Sequence, residues 1–407
     1  MSALPTTHTT DGTPGPLRQA PFTPTLIVGA GPAGLAVAAC LRRLWLPFEI
    51  IEQTGDVGHS WMRHYERLHL HTDKAHSELP YLPFPHDYPR YPSRQQVVDY
   101  LQGYAKHFQI SPRFHEQVVS ARRVFSGEGT QSGQPCWEVD THDTRYRTHH
   151  LVLATGVNHD PHLPHWPGQD QYKGEIVHSA HYKNGARWAG KEVLVVGLGN
   201  SGGEIAIDLW EHQAKPSLAV RSPVNVIPRE VMGTPFLTVG ILQRSWPAWL
   251  ADAVNAPTTR LLMGDLTRYG LPRPRLGPVA QVRREGKVPF IDIGTIDLVK
   301  RGEVGVFPGI ERFTPEGVVF TDGRTKAFDA IVLATGYRSQ VGQWLEGGQI
   351  PLPDKQVPSP QPGLPEGLHL CGFYVSPTGM LREIAREAKL ISREIAASGQ
   401  TQASAVR

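Results

Sequence analysis

The chain has 407 residues, enough for two or three domains with separate cores. Its 41 Lys and Arg against 38 Asp and Glu leave a formal charge of +3, too slight an excess to argue for nucleic acid or an acidic membrane surface. Three cysteines (Cys40, Cys136 and Cys371) lie far apart, without the spacing of a metal site or a redox pair, which points to a reduced, cytoplasmic setting.

Residues 1–22 are rich in Thr, Pro and Gly and read as a disordered leader. They lack a signal peptide's apolar core, and no later segment offers the ~20 apolar residues of a membrane span. An apolar strand, Leu26-Ile27-Val28, then runs into Gly29-Ala30-Gly31-Pro32-Ala33-Gly34 and a helix from about Leu35 to Leu44. A second strand, Phe48 to Ile51, ends at Glu52. Short strands around Trp137-Glu138-Val139 and His150-Leu151-Val152-Leu153 close at Ala154-Thr155-Gly156.

The same plan then recurs. Val193 to Val196 leads into Gly197-Leu198-Gly199-Asn200-Ser201-Gly202, a helix from about Glu204 to Glu211, and a strand, Ser217 to Val220, ending at Arg221. A hairpin over 318–323 and the strand Ile331-Val332-Leu333 close at Ala334-Thr335-Gly336. Loop, crossover length and closing tripeptide all repeat, which predicts two homologous units. Leu368 to Phe373 reads as a late strand and Met380 to Ala397 as an amphipathic helix. Alone they would be unstable, so they are expected to rejoin the first unit.

A G-x-G-x-x-G turn between strand and helix lets backbone approach a pyrophosphate, while the helix N-terminus supplies unpaired N–H groups. Two such turns imply two dinucleotides. Glu52 and Arg221 each end the second strand of their unit, where the residue reading the adenosine ribose belongs. A carboxylate accepts from both ribose hydroxyls and repels a 2′-phosphate; a guanidinium does the reverse. The first site is therefore expected to take FAD and the second NADPH.

Between the units, Tyr172-Lys173-Gly174-Glu175-Ile176-Val177-His178 resembles the F-x-G-x-x-x-H fingerprint of flavin-containing and Baeyer–Villiger monooxygenases, with Tyr172 in place of Phe. Trp61, Tyr65 to His71, Glu78-Leu79-Pro80, Ile227 to Glu230, Arg273 to Pro278 and Phe328 to Tyr337 resemble the plant YUCCA flavin monooxygenases. The resemblance spans about Thr25 to Ile395 and fades around Phe125 to Pro135. It implies a class B flavin monooxygenase: NADPH reduces FAD, O₂ adds to give a hydroperoxide, and one oxygen atom enters a small organic substrate. In YUCCA enzymes that substrate is indole-3-pyruvate, converted to indole-3-acetate.

The expected fold is α/β, with two Rossmann-like three-layer ββα domains. An FAD domain (23–165 and 337–398) is split around an NADPH domain (166–336) that carries a substrate-channel insertion at about 232–295. A flexible tail (399–407) follows. The candidate FAD site comprises Gly29, Gly31, Pro32, Ala33, Gly34, Glu52, Gln53, Trp61, Leu70, His71, Thr155, Gly156 and Gly372. Gly197, Gly199, Asn200, Ser201, Gly202, Arg221, Ser222, Ala334, Thr335, Gly336 and Tyr337 are assigned to NADPH.

His71, which replaces the asparagine of the animal-type family, is a candidate catalytic residue together with Lys74 and His178. A packed histidine in a Pro-bounded loop is the alternative for His71. Aromatic residues of the insertion, Phe236 and Trp246, are candidates to line a substrate channel, with Arg229 receiving a carboxylate. The alternative for this stretch is a helix packed on the core or a face against a membrane. No metal is expected, since Pro161 and Pro164 interrupt the His159/His162/His165 spacing.

The expected partners are the substrate and O₂, in a monomer or homodimer. Three other readings stay open: an oxidase without oxygen insertion, a non-catalytic flavin sensor, and a pyridine nucleotide–disulfide reductase. The last requires a redox dithiol, and no two cysteines here are close in sequence.

Overall fold

A computed structural model describes residues 17–125, 135–338, 341–345 and 363–405. Strand β2 (Thr23–Val28) buries Leu26, Ile27 and Val28 in succession, the mark of a parallel strand covered on both faces. It feeds α1 (Pro32–Arg43), which begins with proline at its first position, and then β3 (Glu49–Ile51). Helix α2 (Arg94–His107) starts at a reciprocal capping box between Ser93 and Gln96. Strands β4 (Val118–Phe125), β5 (Pro135–Thr141) and β6 (Thr144–Leu153) form an antiparallel meander.

The ten-residue β6 organises this first sheet, whose main order is β3–β2–β6–β5–β4. One of its edges takes β1 (Arg18–Gln19) and β2, both parallel. On the other edge its first half pairs with β5 and its second half, Leu151–Leu153, pairs in parallel with the late strand β15 (Leu368–Leu370). The chain thus returns to the first sheet after the second unit. Helix α7 (Met380–Ala405) then packs Ile384, Ala388, Ile391 and Ile395 into the same core as Leu35 and Leu41 of α1.

In the second unit, β7 (Glu175–His178), β8 (Glu192–Val196), β9 (Lys215–Ala219), β10 (Gly305–Phe307) and β14 (Ala330–Leu333) form an all-parallel sheet of order β10–β9–β8–β14–β7. Helix α3 (Asn200–Glu211) covers one face of it. The antiparallel strands β11 (Ile310–Phe313), β12 (Gly317–Phe320) and β13 (Thr325–Ala327) cover the other, through Phe313, Val318, Phe320 and Phe328 against Leu194 and Ile331. The result is three layers, ββα. The segments leaving and re-entering the first unit lie side by side, with Asp160–Pro161 paired antiparallel to Tyr337–Arg338.

Two expectations about the termini are corrected. Arg18 and Gln19, placed in the disordered leader, pair with Thr144 and Arg145, because β6 leaves backbone groups to satisfy at that edge. The tail begun at residue 399 instead continues α7 through Ala405. Residues 126–134, where the resemblance fades, lie outside the described residues.

Candidate functional site

Each glycine loop has the same three-part geometry. Gly29 adopts φ +108°, and a Cβ there would lie 2.6 Å from the Ala154 carbonyl oxygen. Gly34 allows no side chain either, since its Cβ would fall 1.9 Å from the Gly29 oxygen. Between them, a Cβ on Gly31 would meet nothing within 4 Å. The second loop repeats this: Gly197 (φ +109°) abuts the Ala334 oxygen, Gly202 abuts the Gly197 oxygen at 2.0 Å, and Gly199 faces open space.

Gly31 and Gly199 are the N-caps of α1 and α3, and neither helix has a side-chain cap or an acidic residue in its first turn. Unpaired N–H groups at a positive dipole end, beside room that no side chain fills, fit a dinucleotide pyrophosphate. FAD and NADPH therefore fit the two loops.

Around the first loop, Glu52 accepts from the Ala30 N–H at 2.8 Å and from the Thr54 N–H and hydroxyl at 3.0 and 2.9 Å. A carboxylate has about four acceptor positions, so one remains for a ribose hydroxyl. The Thr155 hydroxyl is buried without a hydrogen-bond partner, in a residue whose backbone nitrogen lies beside Gly29. Gly372 (φ +82°) brings the end of β15 onto α1, where a Cβ would stand 3.1 Å from that of Ala33, and its N–H donates to Glu387 at 2.7 Å. Leu70 is buried, Trp61 packs beside the core of α1, and exposed Gln53 reaches His159 at 3.1 Å.

At the second loop, Arg221 and Ser222 are exposed just beyond β9, with the Arg221 stem against Gly309. The Asn200 side-chain oxygen braces the loop, accepting the Ile291 N–H at 2.9 Å, while its backbone opens α3. The Thr335 hydroxyl is likewise engaged, on the His162 carbonyl at 2.5 Å. His178 ends β7 in the core, where its Nδ1 accepts the Ala180 N–H and its ring meets Tyr337 edge-on at 5.2 Å. Burial holds its pKa below the usual histidine value, so the ring is neutral and Nε2 carries the proton. That nitrogen is fully covered by protein.

The two units meet at a carboxylate that the sequence reading passed over. Glu204, on the second turn of α3, is completely buried. One of its oxygens accepts from the Tyr65 hydroxyl at 3.0 Å and from His71 Nε2 at 3.1 Å, while Arg67 Nη1 stands 3.6 Å from the other. Because a carboxylate only accepts, His71 donates to it from Nε2. Tyr65 itself inserts into the core of the second unit beside Tyr182 and Ile205, and burial followed by the Glu204 charge raises its pKa. An acid so close behind a phosphate-binding turn was the available signal: it disfavours an anion unless cations or donors answer it.

Lys74 is corrected from catalytic residue to loop brace. Its ammonium donates to the carbonyls of Pro85, His86 and Tyr88, which fills its three donor positions.

The insertion supplies β-turn strands over 230–235 and three helices: α4 (Phe236–Leu242), α5 (Ala248–Met263) and α6 (Pro278–Glu285). Of the three proposed substrate residues, Arg229 and Phe236 are joined by a backbone hydrogen bond, Phe236 N–H to the Arg229 carbonyl at 2.9 Å. Arg229 lies over the Tyr91 ring at 4.2 Å, Phe236 starts α4, and Trp246 is 38% exposed. A cavity of about 260 Å³ opens between Arg244 and Arg283 of the insertion and Tyr374, Thr378, Glu383 and Arg386 of the first unit. Gly379, next to Thr378, packs on Thr72 and Leu237, so this cavity adjoins the His71 loop.

The profile of a family described as flavin-binding monooxygenase-like matches residues 24–357. The chain belongs to that family. Its members act with FAD and NADPH, and so does this flavin monooxygenase, as the two dinucleotide loops require. It is 41% identical over 355 residues to probable indole-3-pyruvate monooxygenase YUCCA7 of Arabidopsis thaliana, covering 86% of this chain and 82% of that one. With indole-3-pyruvate monooxygenase YUCCA6 of the same plant it shares 40% over 376 residues, 90% and 88% of the two chains.

Among solved structures, the flavin-containing monooxygenase from Stenotrophomonas maltophilia superposes with TM-score 0.68 at 22% identity over 94% of this chain and 99% of that one. A steroid monooxygenase bound to NADP superposes with TM-score 0.71 at 21% identity over 92% and 84%. These structures share the fold. So does a bacillithiol disulfide reductase from Staphylococcus aureus, at TM-score 0.62, 15% identity, and 94% and 99% coverage. All three cysteines of this chain are buried free thiols, and burial pushes Cys40 up to about 11 and Cys371 well above its usual value.

Proposed function

We propose that this flavin monooxygenase oxidatively decarboxylates an aryl 2-keto acid of the indole-3-pyruvate type. The likeness to indole-3-pyruvate monooxygenases over most of both chains carries this reading. The balanced reaction consumes the keto acid, O₂, NADPH and a proton. It yields the acid one carbon shorter, CO₂, water and NADP⁺. FAD, when bound, supplies the redox and oxygen chemistry.

The chain's own residues then bind, orient and exclude water. The α1 and α3 N-termini hold the two pyrophosphates, Glu52 a ribose and Arg221 the 2′-phosphate. His71, held by Glu204, presents Nδ1 on the loop beside the cavity. His178, buried, and Tyr337, half-buried, wall the second site with their rings edge to face. The cationic rim of the cavity, Arg244 with Arg283, suits the substrate carboxylate. Arg244 is the freer of the two, because Arg283 donates to the carbonyls of Arg244 and Trp246. Buried, unpaired thiols suit a cytoplasmic setting.

The test is product analysis with indole-3-pyruvate, NADPH and O₂. Indole-3-acetate is expected in step with NADPH consumed, and Arg244→Ala should raise KM about tenfold with kcat little changed. NADPH oxidation that yields only hydrogen peroxide, with no shortened acid, overturns the reading.

A further inference from the structure

Helix α5 is built inside out. Two of its polar residues face the protein: Asp252 accepts the N–H groups of Val279 and Ala280 at 2.9 and 3.0 Å, and Asn255 donates to Gln243 at 2.7 Å. Ala251 is its one buried residue. The four-residue spacing Trp249, Ala253, Pro257 and Leu261 places a stripe on the opposite face, with Val254 beside it, and all five are exposed. Trp249 is 71% and Leu261 85% exposed. Leu242, at the end of α4, is 75% exposed. An ordinary surface helix shows the reverse polarity, and a stripe of this kind marks an interaction face.

Charge decides what covers it. Residues 232–288 hold eight Lys and Arg (Arg244, Arg260, Arg268, Arg273, Arg275, Arg283, Arg284 and Lys287) against three acids, Asp252, Asp265 and Glu285. Taking these from the chain totals of 41 and 38 leaves 33 basic and 35 acidic residues elsewhere. The positive excess of the whole protein therefore lies in the segment that carries this apolar stripe, with Arg244 and Arg283 turned to the cavity and six further cations besides. All eight cations are exposed, and Arg260 flanks the stripe on α5 itself. A second copy docking through a two-fold axis on this face would set the two cationic rims against each other. An anionic lipid surface answers both features, taking the indole and leucine into its interface and the arginines onto its phosphates.

We propose that the α5 face docks this enzyme on the surface of an anionic bilayer. Among the described residues no helix is long and apolar enough to cross a membrane, so the contact is peripheral and reversible. Substrate identity plays no part in this assignment.

Flotation of the FAD-loaded protein with phosphatidylcholine vesicles, with and without phosphatidylglycerol, tests it. Binding is expected to the anionic vesicles only, to fall as salt is raised, and to be accompanied by a blue shift in tryptophan emission. Trp249→Ser with Leu261→Ser, and separately Arg260→Glu with Arg275→Glu, should each weaken partitioning roughly tenfold or more. Retained flavin and unchanged NADPH oxidation in free solution show that these surface variants are folded. Failure to float with anionic vesicles overturns the proposal. So does partitioning that neither pair of substitutions changes, or a solution dimer that the Trp249/Leu261 pair dissociates.

Discussion

In the proposed reading, the choice between two nucleotides comes down to Arg221, one exposed guanidinium beyond β9. A 2′-phosphate brings up to two negative charges to this position, and no carboxylate is paired with Arg221 among the described residues to compete for it. Replacing it by serine removes charge-assisted hydrogen bonds that NADH does not make. Arg221→Ser should therefore lose roughly 1.5–3 kcal/mol of preference for NADPH over NADH, about 10- to 150-fold in the ratio of kcat/KM. An unchanged ratio in steady-state kinetics would assign the 2′-phosphate elsewhere. Asn200 and Lys74 carry the opposite lesson. Residue type and motif position suited chemistry, but the Asn200 oxygen and the Lys74 ammonium are taken up by backbone groups, at Ile291 and at residues 85–88, that the motifs do not show.

Between elements, the join of the Tyr65–His71 loop to α3 rests on the Glu204 carboxylate. With two hydrogen bonds and an adjacent guanidinium on a fully buried charge, removing the charge is costly. Glu204→Gln should cost about 1.5–3 kcal/mol in urea denaturation. Its effect should be less than additive with Tyr65→Phe, because both act on one oxygen. Wild-type stability in Glu204→Gln would show that the join does not depend on this charge.

The seam between β6, β15 and α7 holds a second testable contact. His150 lies against His369 at 3.2 Å and Ser398 at 3.0 Å, and burial first, then the neighbouring histidines, lowers its pKa to about 4. For a histidine with a depressed folded pKa, the unfolded chain binds the proton first. This contribution is thus present above the unfolded value of 6.5 and lost as pH falls from there towards about 4. On moving from pH 7 to 5 it should account for on the order of 1–2 kcal/mol of lost stability. His150→Gln should flatten that acid limb, and an acid limb of unaltered slope would remove His150 as its source.

Across the whole molecule, the paired repeats were legible because their causes are local. A strand, a glycine turn and a helix cap show themselves in about fifteen residues. The return of Leu368–Leu370 to the first sheet was also readable, since a lone strand and helix must find a partner. Long-range pairing hid the rest. Arg18–Gln19 become a strand only because β6 extends past β2, and Glu204 becomes a junction only when two units close on it. The insertion was read as a channel from its apolar content, yet much of that content faces outward. Apolar residues in a sequence say that something must cover them, not which surface does so.

The central claim is that one chain grips FAD and NADPH close enough for hydride transfer. Anaerobic titration of the FAD-loaded protein with NADPH, followed by the flavin absorbance, tests it most directly. The account predicts one flavin per chain, bleached by about one equivalent of NADPH and far more slowly by NADH, with colour restored by oxygen. A protein that takes up no FAD, or a bound flavin that NADPH leaves oxidised, would contradict it.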